Sequence, residues 1–274
     1  MYLGIDIGGT KTLVASLDND GVIQEEFRFP TPKLYRDFLK KLTENVEKLS
    51  TNKFIAAGVG APGKIERKDG IGVAFGNLSW RNVDIAKDVN AVAGCPVVVE
   101  NDANLAGLSE AMLLKQHQKV LYITISTGIG TGFIVNQQID PELADSEGGH
   151  MMLEHNGKVQ SWEDFASGRA IVRRFGKHAS EITDKHTWQI IAHDIALGLI
   201  DLIAVTEPDV IVLGGGVNTH FDKFGDYLKA YLKQYDNPLI TLPELRVAAR
   251  PEQAVVYGCY DLAKSHYGTV ASVA

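Results

Sequence analysis

The chain has 274 residues, of which 45% are hydrophobic and 22% charged, and a formal net charge of −7. That apolar content suits one large domain or two moderate ones. An acidic chain with no run of Lys or Arg excludes a broad basic face for nucleic acid. Small anions remain open as ligands, because backbone N–H groups hold phosphate without net positive charge. The N-terminus, Met1-Tyr2-Leu3-Gly4-Ile5-Asp6, has neither the basic start nor the long apolar core of a signal peptide. No apolar run approaches the roughly 18 residues of a membrane span. Cys95 and Cys259 lie in apolar surroundings with no CxxC pairing and read as buried thiols in a reducing compartment. The expectation is a cytoplasmic protein without a membrane partner.

In chain order, Leu3–Ile7 and Leu13–Leu17 read as short strands around a Gly-Gly turn. The segment Asp6-Ile7-Gly8-Gly9-Thr10-Lys11-Thr12 holds that turn. Adjacent glycines let the backbone approach a phosphate, Thr10 and Thr12 add hydroxyls, and Lys11 adds charge. Asp6 precedes the turn and can hold Mg²⁺ directly or through water. The spacing is not that of a Walker A loop, and a strand rather than a helix follows, so a P-loop is rejected. Leu34–Leu49 repeats apolar residues at helical spacing, and Phe54–Val59 is a strand ending in the loop Gly60-Ala61-Pro62-Gly63.

Cys95 to Val99 is an apolar, β-branched run after which comes Glu100-Asn101-Asp102. A strand there delivers an uncompensated carboxylate, flanked by an amide, to its C-terminal edge, the edge at which open α/β sheets bind ligands. Asp102 is the candidate general base. Ala103–Leu114 follows as a helix.

Val120–Ile125 and Gly132–Val135 form a second strand pair, around Ser126-Thr127-Gly128-Ile129-Gly130-Thr131-Gly132. Its G-x-G-x-G spacing is not the dinucleotide fingerprint and no helix follows, which disfavours hydride transfer. The loop is a second phosphate cradle. Glu147-Gly148-Gly149-His150 is too glycine-rich for a helix, so its carboxylate and imidazole are candidates for sugar hydroxyls, with a metal as the lesser reading. Glu163 precedes a helix over Phe165–Phe175 and is another candidate acceptor. Trp188–Val205 is a helix, and Val210–Leu213 a strand closed by Gly214-Gly215-Gly216. That triplet is either an open backbone surface for a flat base or a plain strand-to-helix loop. Phe221–Lys233 and Gln253–Lys264 are late helices. His117, His155, His178, His186, His193, His220 and His266 show no pattern and read as surface or interface residues.

Strands and helices alternate throughout, which argues for α/β layers. Tyr2–Leu17 and Leu121–Val135 each read as strand, glycine turn, strand, and each opens about half of the chain. The pattern suggests a duplicated domain with a ligand cleft between the halves.

Together these residues resemble the ROK family of bacterial sugar kinases and repressors. The resemblance runs from Leu3 to about Gly258 and is carried by the motifs above together with Asn77-Leu78, Trp80 and Ala103-Asn104. It implies a pair of ribonuclease H-like domains of the actin/hexokinase type. One spans residues 1–115 plus a C-terminal helix at about 253–274, and the other 116–252. It implies a hexose kinase in which Asp102 takes the proton from a sugar hydroxyl. Asn101, Glu147, His150 and Glu163 would grip the other hydroxyls, with Asn77 and the Gly63 backbone nearby. Gly8, Gly9, Thr10, Lys11, Thr127, Gly128, Gly130, Thr131 and Gly214 to Gly216 would hold the phosphoryl donor, and Asp6 would serve Mg²⁺. The family's cysteine-rich zinc segment after the histidine is missing: Met151 to Trp162 contains no cysteine. Zinc is therefore expected to be absent. Polyphosphate-using glucokinases of the family share that absence, so the donor is ATP or polyphosphate. Glucose O6 leads as acceptor, with mannose, N-acetylmannosamine, N-acetylglucosamine and fructose as alternatives. A homodimer is expected. A DNA-reading module finds no room before Asp6, and an inert sugar-binding protein is the competing reading.

Overall fold

The computed structural model describes residues 1–236 and 238–268. Residues 269–274, the end of the expected C-terminal helix, lie outside the described residues. The chain divides into two units, Met1–Ser109 with the segment from Glu252 onward, and Glu110–Pro251.

The first unit runs β1 (Tyr2–Ile7), β2 (Lys11–Leu17), β3 (Ile23–Pro30), α1 (Tyr35–Val46), β4 (Ala57–Ala61), β5 (Lys64–Glu66), β6 (Ile71–Ala74), β7 (Arg81–Asp84), α2 (Ile85–Ala93), β8 (Val97–Asn101) and α3 (Asp102–Ala111). Its main sheet has the order β3-β2-β1-β4-β8, and β5-β6-β7 form a small side sheet. The first three strands are an antiparallel meander, whereas β1–β4 and β4–β8 pair in parallel. Both faces of the main sheet are covered, which is why its central strands read as continuous apolar runs. Alternation along β1 sends Leu3, Ile5 and Ile7 to the core shared with Phe38, Leu42, Ile85 and Val89. Tyr2, Leu13, Ala15 and Leu17 face the other way, onto Val256, Tyr260 and Ala263.

The second unit runs β9 (Lys119–Ile125), β10 (Ile129–Val135), β11 (Gln138–Ile139), β12 (Met152–His155), β13 (Lys158–Ser161), α4 (Trp162–Ala166), α5 (Gly168–Phe175), α6 (Lys185–Thr206), β14 (Val210–Gly214), α7 (Phe221–Lys233) and β15 (Glu244–Val247). The chain then returns to the first unit as α8 (Ala254–Tyr267). Gly58 of β4 is required there, since a Cβ on it would stand 2.2 Å from the Cys259 carbonyl oxygen. The second sheet has the order β11-β10-β9-β14-β15. It repeats the first: a three-stranded antiparallel meander whose first strand pairs in parallel with a fourth, and that one with a fifth. This is the duplicated, ribonuclease H-like α/β architecture. Trp162, Trp188, Ile195, Leu199 and Phe224 fill its core.

Three sequence expectations change. The helix expected over Phe165–Phe175 is two helices, α4 and α5, broken at Ser167, whose backbone turns extended and whose Oγ caps the Ala170 N–H at 3.2 Å. A serine before a glycine favours this cap over a continued helix. Lys185–Thr206 is, by length and composition, apolar enough to cross a membrane, contrary to the reading that no such run exists. Here Trp188, Ile191, Ile195, Leu199, Leu202 and Ile203 bury it in the unit's core. The β12–β13 hairpin was not foreseen; it turns on Asn156 and Gly157, both at positive φ, the Asn-Gly signature of a two-residue loop.

Candidate functional site

In the first unit the site grows from the end of β8. Glu100 is 4% exposed and is held by the Arg67 guanidinium, Nε to Oε2 at 2.7 Å and Nη2 to Oε1 at 2.9 Å. The Asn101 N–H and the Asn104 amide also donate to it, at 2.6 and 3.0 Å. Asn101 is pinned in turn: its Oδ1 accepts the Ala103 N–H at 2.8 Å, capping α3, and its amide donates to the Gly63 carbonyl at 3.1 Å. Gly63 sits at φ +96°, where an added Cβ would meet the Ala74 carbonyl oxygen at 2.2 Å, so the loop depends on glycine there. Asp102 stands first in α3, at the positive end of the helix. It is half-buried and accepts the Ala103 N–H at 2.8 Å, so it is not the bare carboxylate the sequence suggested.

Asp6 ends β1, with Gly60 of β4 paired between it and Glu100. A Cβ on Gly60 would lie 3.8 Å from the Asp102 Cα. Burial first, and then the Asp102 charge, push the Asp6 carboxyl up to about 7 against the opposing charge of Arg28. Among the described residues no three His, Cys, Asp or Glu converge as a metal shell. Mg²⁺ is commonly held by one or two carboxylates completed by substrate phosphate and water. The single carboxylate of Asp6 fits that donor set.

The glycine turn after Asp6 closes through the Gly8 N–H on the Lys11 carbonyl at 3.0 Å. Thr12 is fully buried and its hydroxyl bonds that of Thr31 at 2.9 Å, so it does not face a ligand as expected. Thr10 and Lys11 are exposed. Asn77 lies beside the turn, its Cβ 3.1 Å from where a Cβ on Gly9 would be.

In the second unit the turn between β9 and β10 is shorter than expected. Ser126 N–H donates to the Gly128 carbonyl at 2.9 Å and the Ser126 carbonyl accepts the Gly168 N–H at 2.7 Å, docking the start of α5 on the loop. Thr127 is exposed, but Gly130 and Thr131 are strand residues opposite Thr124 and Ile123. The Thr131 hydroxyl donates to the Ser146 carbonyl at 3.3 Å and accepts the Gly148 N–H at 3.1 Å, so it anchors the Glu147 turn instead of a phosphate. That turn, Gly148–His150, is a single 3₁₀ turn despite its glycines. Glu163, in α4, accepts the Ile129 N–H at 3.3 Å through Oε2 and Arg169 at 3.3 Å through Oε1. The Glu147 carboxyl is pushed up, first by lost hydration, then by Glu163 and Asp145, with His150 opposing. Glu147, His150 and Glu163 therefore form one electrostatic cluster.

Beside the Ser126–Gly128 turn lies a cavity of about 700 Å³. Arg169 and Arg173 of α5 line it with His178 and His220, and Val172 and Val217 give it apolar walls. Gly216 also lines it, and a Cβ there would meet nothing within 4 Å, leaving bare backbone toward the cavity. Gly214 and Gly215 do not open there: they pack on the Tyr122 hydroxyl and the Ile125 carbonyl. The arginines and histidines of this cavity were missed by sequence reasoning; Arg169 and Arg173, four apart on one helix face, were the available signal. His155, read as a surface residue, is buried at 9% exposure and bonded to Asp194.

Comparison with known proteins gives this geometry a context. The chain is 28% identical over 278 residues to a glucokinase of Streptomyces coelicolor, covering 86% of this chain and 88% of that protein. It is 25% identical over 259 residues to a fructokinase of Lactococcus lactis subsp. cremoris, covering 88% and 87%. The crystal structure of a ROK family glucokinase from Streptomyces griseus in complex with glucose and AMPPNP superposes with a TM-score of 0.84 at 26% identity, covering 96% of this chain and 99% of that one. The ROK family pattern itself matches residues 2–266. Two sheets of one connectivity, each opened by a glycine turn, and a family match over almost all residues lead to one conclusion: the chain belongs to the ROK family.

Proposed function

We propose that the protein is a sugar kinase that transfers the terminal phosphoryl group of ATP to a hexose hydroxyl, with glucose O6 as the leading acceptor. The observation that carries this reading is the Asp102 carboxylate, fixed at the start of α3 by the Glu100–Asn101 anchoring and electrostatically coupled to Asp6. Phosphoryl transfer asks the protein mainly for alignment and charge neutralisation, with a base placed to accept a hydroxyl proton. Asp102 is that base. Bound Mg²⁺ would neutralise charge on the transferring group, and Asp6 would hold it, directly or through water. The second N–H of the Asn101 amide, the exposed Asn77, Glu147, His150 and Glu163 are hydrogen-bonding groups of the kind that recognise sugar hydroxyls. Gly63 contributes by holding Asn101.

The donor assignment rests on the second unit. A cavity with apolar walls, bare Gly216 backbone and two arginines suits a flat base with its phosphates leading toward the Ser126–Gly128 turn. Polyphosphate has no base to place in it. A homodimer in the cytoplasm belongs to the same reading. The test is a coupled assay of glucose, mannose, fructose, N-acetylmannosamine and N-acetylglucosamine, each with ATP and with polyphosphate. Turnover of glucose with ATP and Mg²⁺ is expected. Faster turnover with polyphosphate would overturn the donor assignment, and silence with every pair would favour a sugar-binding protein without kinase activity.

A further inference from the structure

The zinc segment that many ROK proteins carry after the equivalent histidine does not fit this chain. No cysteine lies between His150 and Glu163. Cys95 and Cys259 are both buried in the first unit, and among the described residues no metal-ligand cluster forms. Something else must hold the segment, and the β12–β13 hairpin shows what does.

The base of the hairpin joins two candidate sugar ligands. The Trp162 N–H donates to the Met151 carbonyl at 2.9 Å, so His150 and Glu163 flank one closed pair. At the far end His155 is the last residue of β12 before the Asn156-Gly157 turn. Its ring lies flat on Phe165 of α4, 4.2 Å between centroids and 4° between planes. Its Nε2 is 3.0 Å from Oδ1 of Asp194, and Gln160 approaches its Nδ1 at 3.2 Å. Asp194 is 1% exposed in the middle of the apolar α6. Its other carboxylate oxygen is 2.6 Å from Arg174 of α5, and its backbone carbonyl accepts the Trp162 indole N–H at 3.1 Å. His193 stands outside, 3.6 Å from Oδ1. Arg174 also donates to the Phe165 carbonyl.

A carboxylate buried in an apolar helix is costly unless it is paired and hydrogen-bonded. Asp194 meets both conditions by gathering the hairpin tip (His155), the hairpin base (Trp162) and α5 (Arg174) on one residue. We propose that Asp194, His155 and Arg174 form a metal-free clamp on the hairpin that orients His150 and Glu163 for sugar, the place taken elsewhere in the family by zinc. His155 is a positioning residue in this scheme. The catalytic consequence rests on the sugar-kinase reading; the structural one does not.

The test uses the full chain with His155→Ala, His155→Gln, which keeps an amide donor for Asp194, and Leu228→Ala, a core truncation in α7 as a stability control. His155→Ala should raise the sugar KM by about tenfold, in the range seen when outer-sphere partners of binding residues are removed, with the ATP KM nearly unchanged. His155→Gln should restore most of the loss, and Leu228→Ala should lower the melting temperature without moving the sugar KM. In hydrogen exchange, residues 152–161 should lose protection in His155→Ala while β9 and β14 keep theirs. Metal analysis of the parent protein should find no stoichiometric zinc, and a chelator should leave its melting temperature unchanged. An unchanged sugar KM, unchanged exchange in the hairpin, or one zinc per chain would each overturn the proposal. If the parent turned over no sugar, the kinase reading would fall, and the exchange comparison would still decide the clamp. If His155→Ala does not fold, Arg174→Gln enters the same exchange and KM comparison.

Discussion

Asp6→Asn separates what Asp6 does for folding from what it does for catalysis. The substitution keeps the side chain's size and removes its ability to ionise. In the fold the carboxyl is pushed from 3.8 to about 7, first by burial and then by the charge of Asp102. A carboxyl raised in this way binds its proton more tightly folded than unfolded, so ionising it works against the fold. Below about pH 4 both states hold the proton and nothing is lost. Between about pH 4 and 7 the unfolded chain releases its proton first, and stability falls as pH rises; above about 7 the whole effect, about 4 kcal/mol, is in place. Asp6→Asn should therefore match the parent near pH 4 and exceed it by up to about 4 kcal/mol near pH 8. Urea denaturation without Mg²⁺ at about pH 4, 6 and 8 measures the difference. Mg²⁺ should shrink it, since a cation offsets the repulsion that Asp6→Asn removes. Kinase activity should fall in the same variant that gains stability, the trade expected where a site holds unfavourable charge for function. A stability gain of equal size at all three pH values, or no gain near pH 8, would refute the raised pKa of Asp6 in the folded protein.

Asp102→Asn should lower kcat by about 10²–10⁴-fold, the usual worth of a general base, while calorimetry finds sugar affinity within a few-fold of the parent. Arg67→Met should destabilise by about 3–5 kcal/mol, because it strands a buried carboxylate at Glu100, and adding Glu100→Gln should recover most of the loss in denaturation experiments. Arg173→Ala should raise the ATP KM by about tenfold, as expected for lost hydrogen bonds to charged groups. The sugar KM, measured in the same assay, should move much less.

Legibility in the sequence tracked the range of the physics involved. The end of β8 and the start of α3 fall between Asn101 and Asp102, where an apolar β-branched run gives way to capping residues, because both signals are local. The glycine turn after β1 was legible for the same reason. Partners across the fold were not. Arg67 finds Glu100 from 33 residues away, and nothing in either segment's pattern names the other. Asp194 drew no reading from the sequence; its partners, His155 and Arg174, are brought to it only by the packed unit. Thr131 had the right residue type and neighbourhood for a phosphate cradle. β10 starts at Ile129, three residues before the Gly132 start expected from the sequence, and its pairing turned Thr131 inward to Ser146 and Gly148. The Asn156-Gly157 turn was a local signal that went unread.

The duplication also shows where the two units diverge. Both sheets place a turn between their first and second strands, at Gly8–Thr10 and Ser126–Gly128, and both end their fourth strand in glycines, at Gly60 and at Gly214. These positions all lie where the parallel strands end, the edge at which α/β sheets offer unpaired N–H groups to ligands. The units part company after their fifth strands. In the first, β8 passes straight into α3 and sets Asp102 at the helix start. In the second, Ala248 follows β15 and donates to the Leu213 carbonyl, and the Ala249 and Arg250 N–H groups are taken by the Glu110 carboxylate. The fifth strand therefore ends in a helix-start carboxylate in the first unit and in a Glu110-bound loop in the second. Phosphoryl transfer to a hydroxyl consumes one proton acceptor, whereas its charge neutralisation gains from two cradles. On the sugar-kinase reading proposed above, a duplicated fold with a glycine turn in each unit and a single Asp102 suits that division of labour.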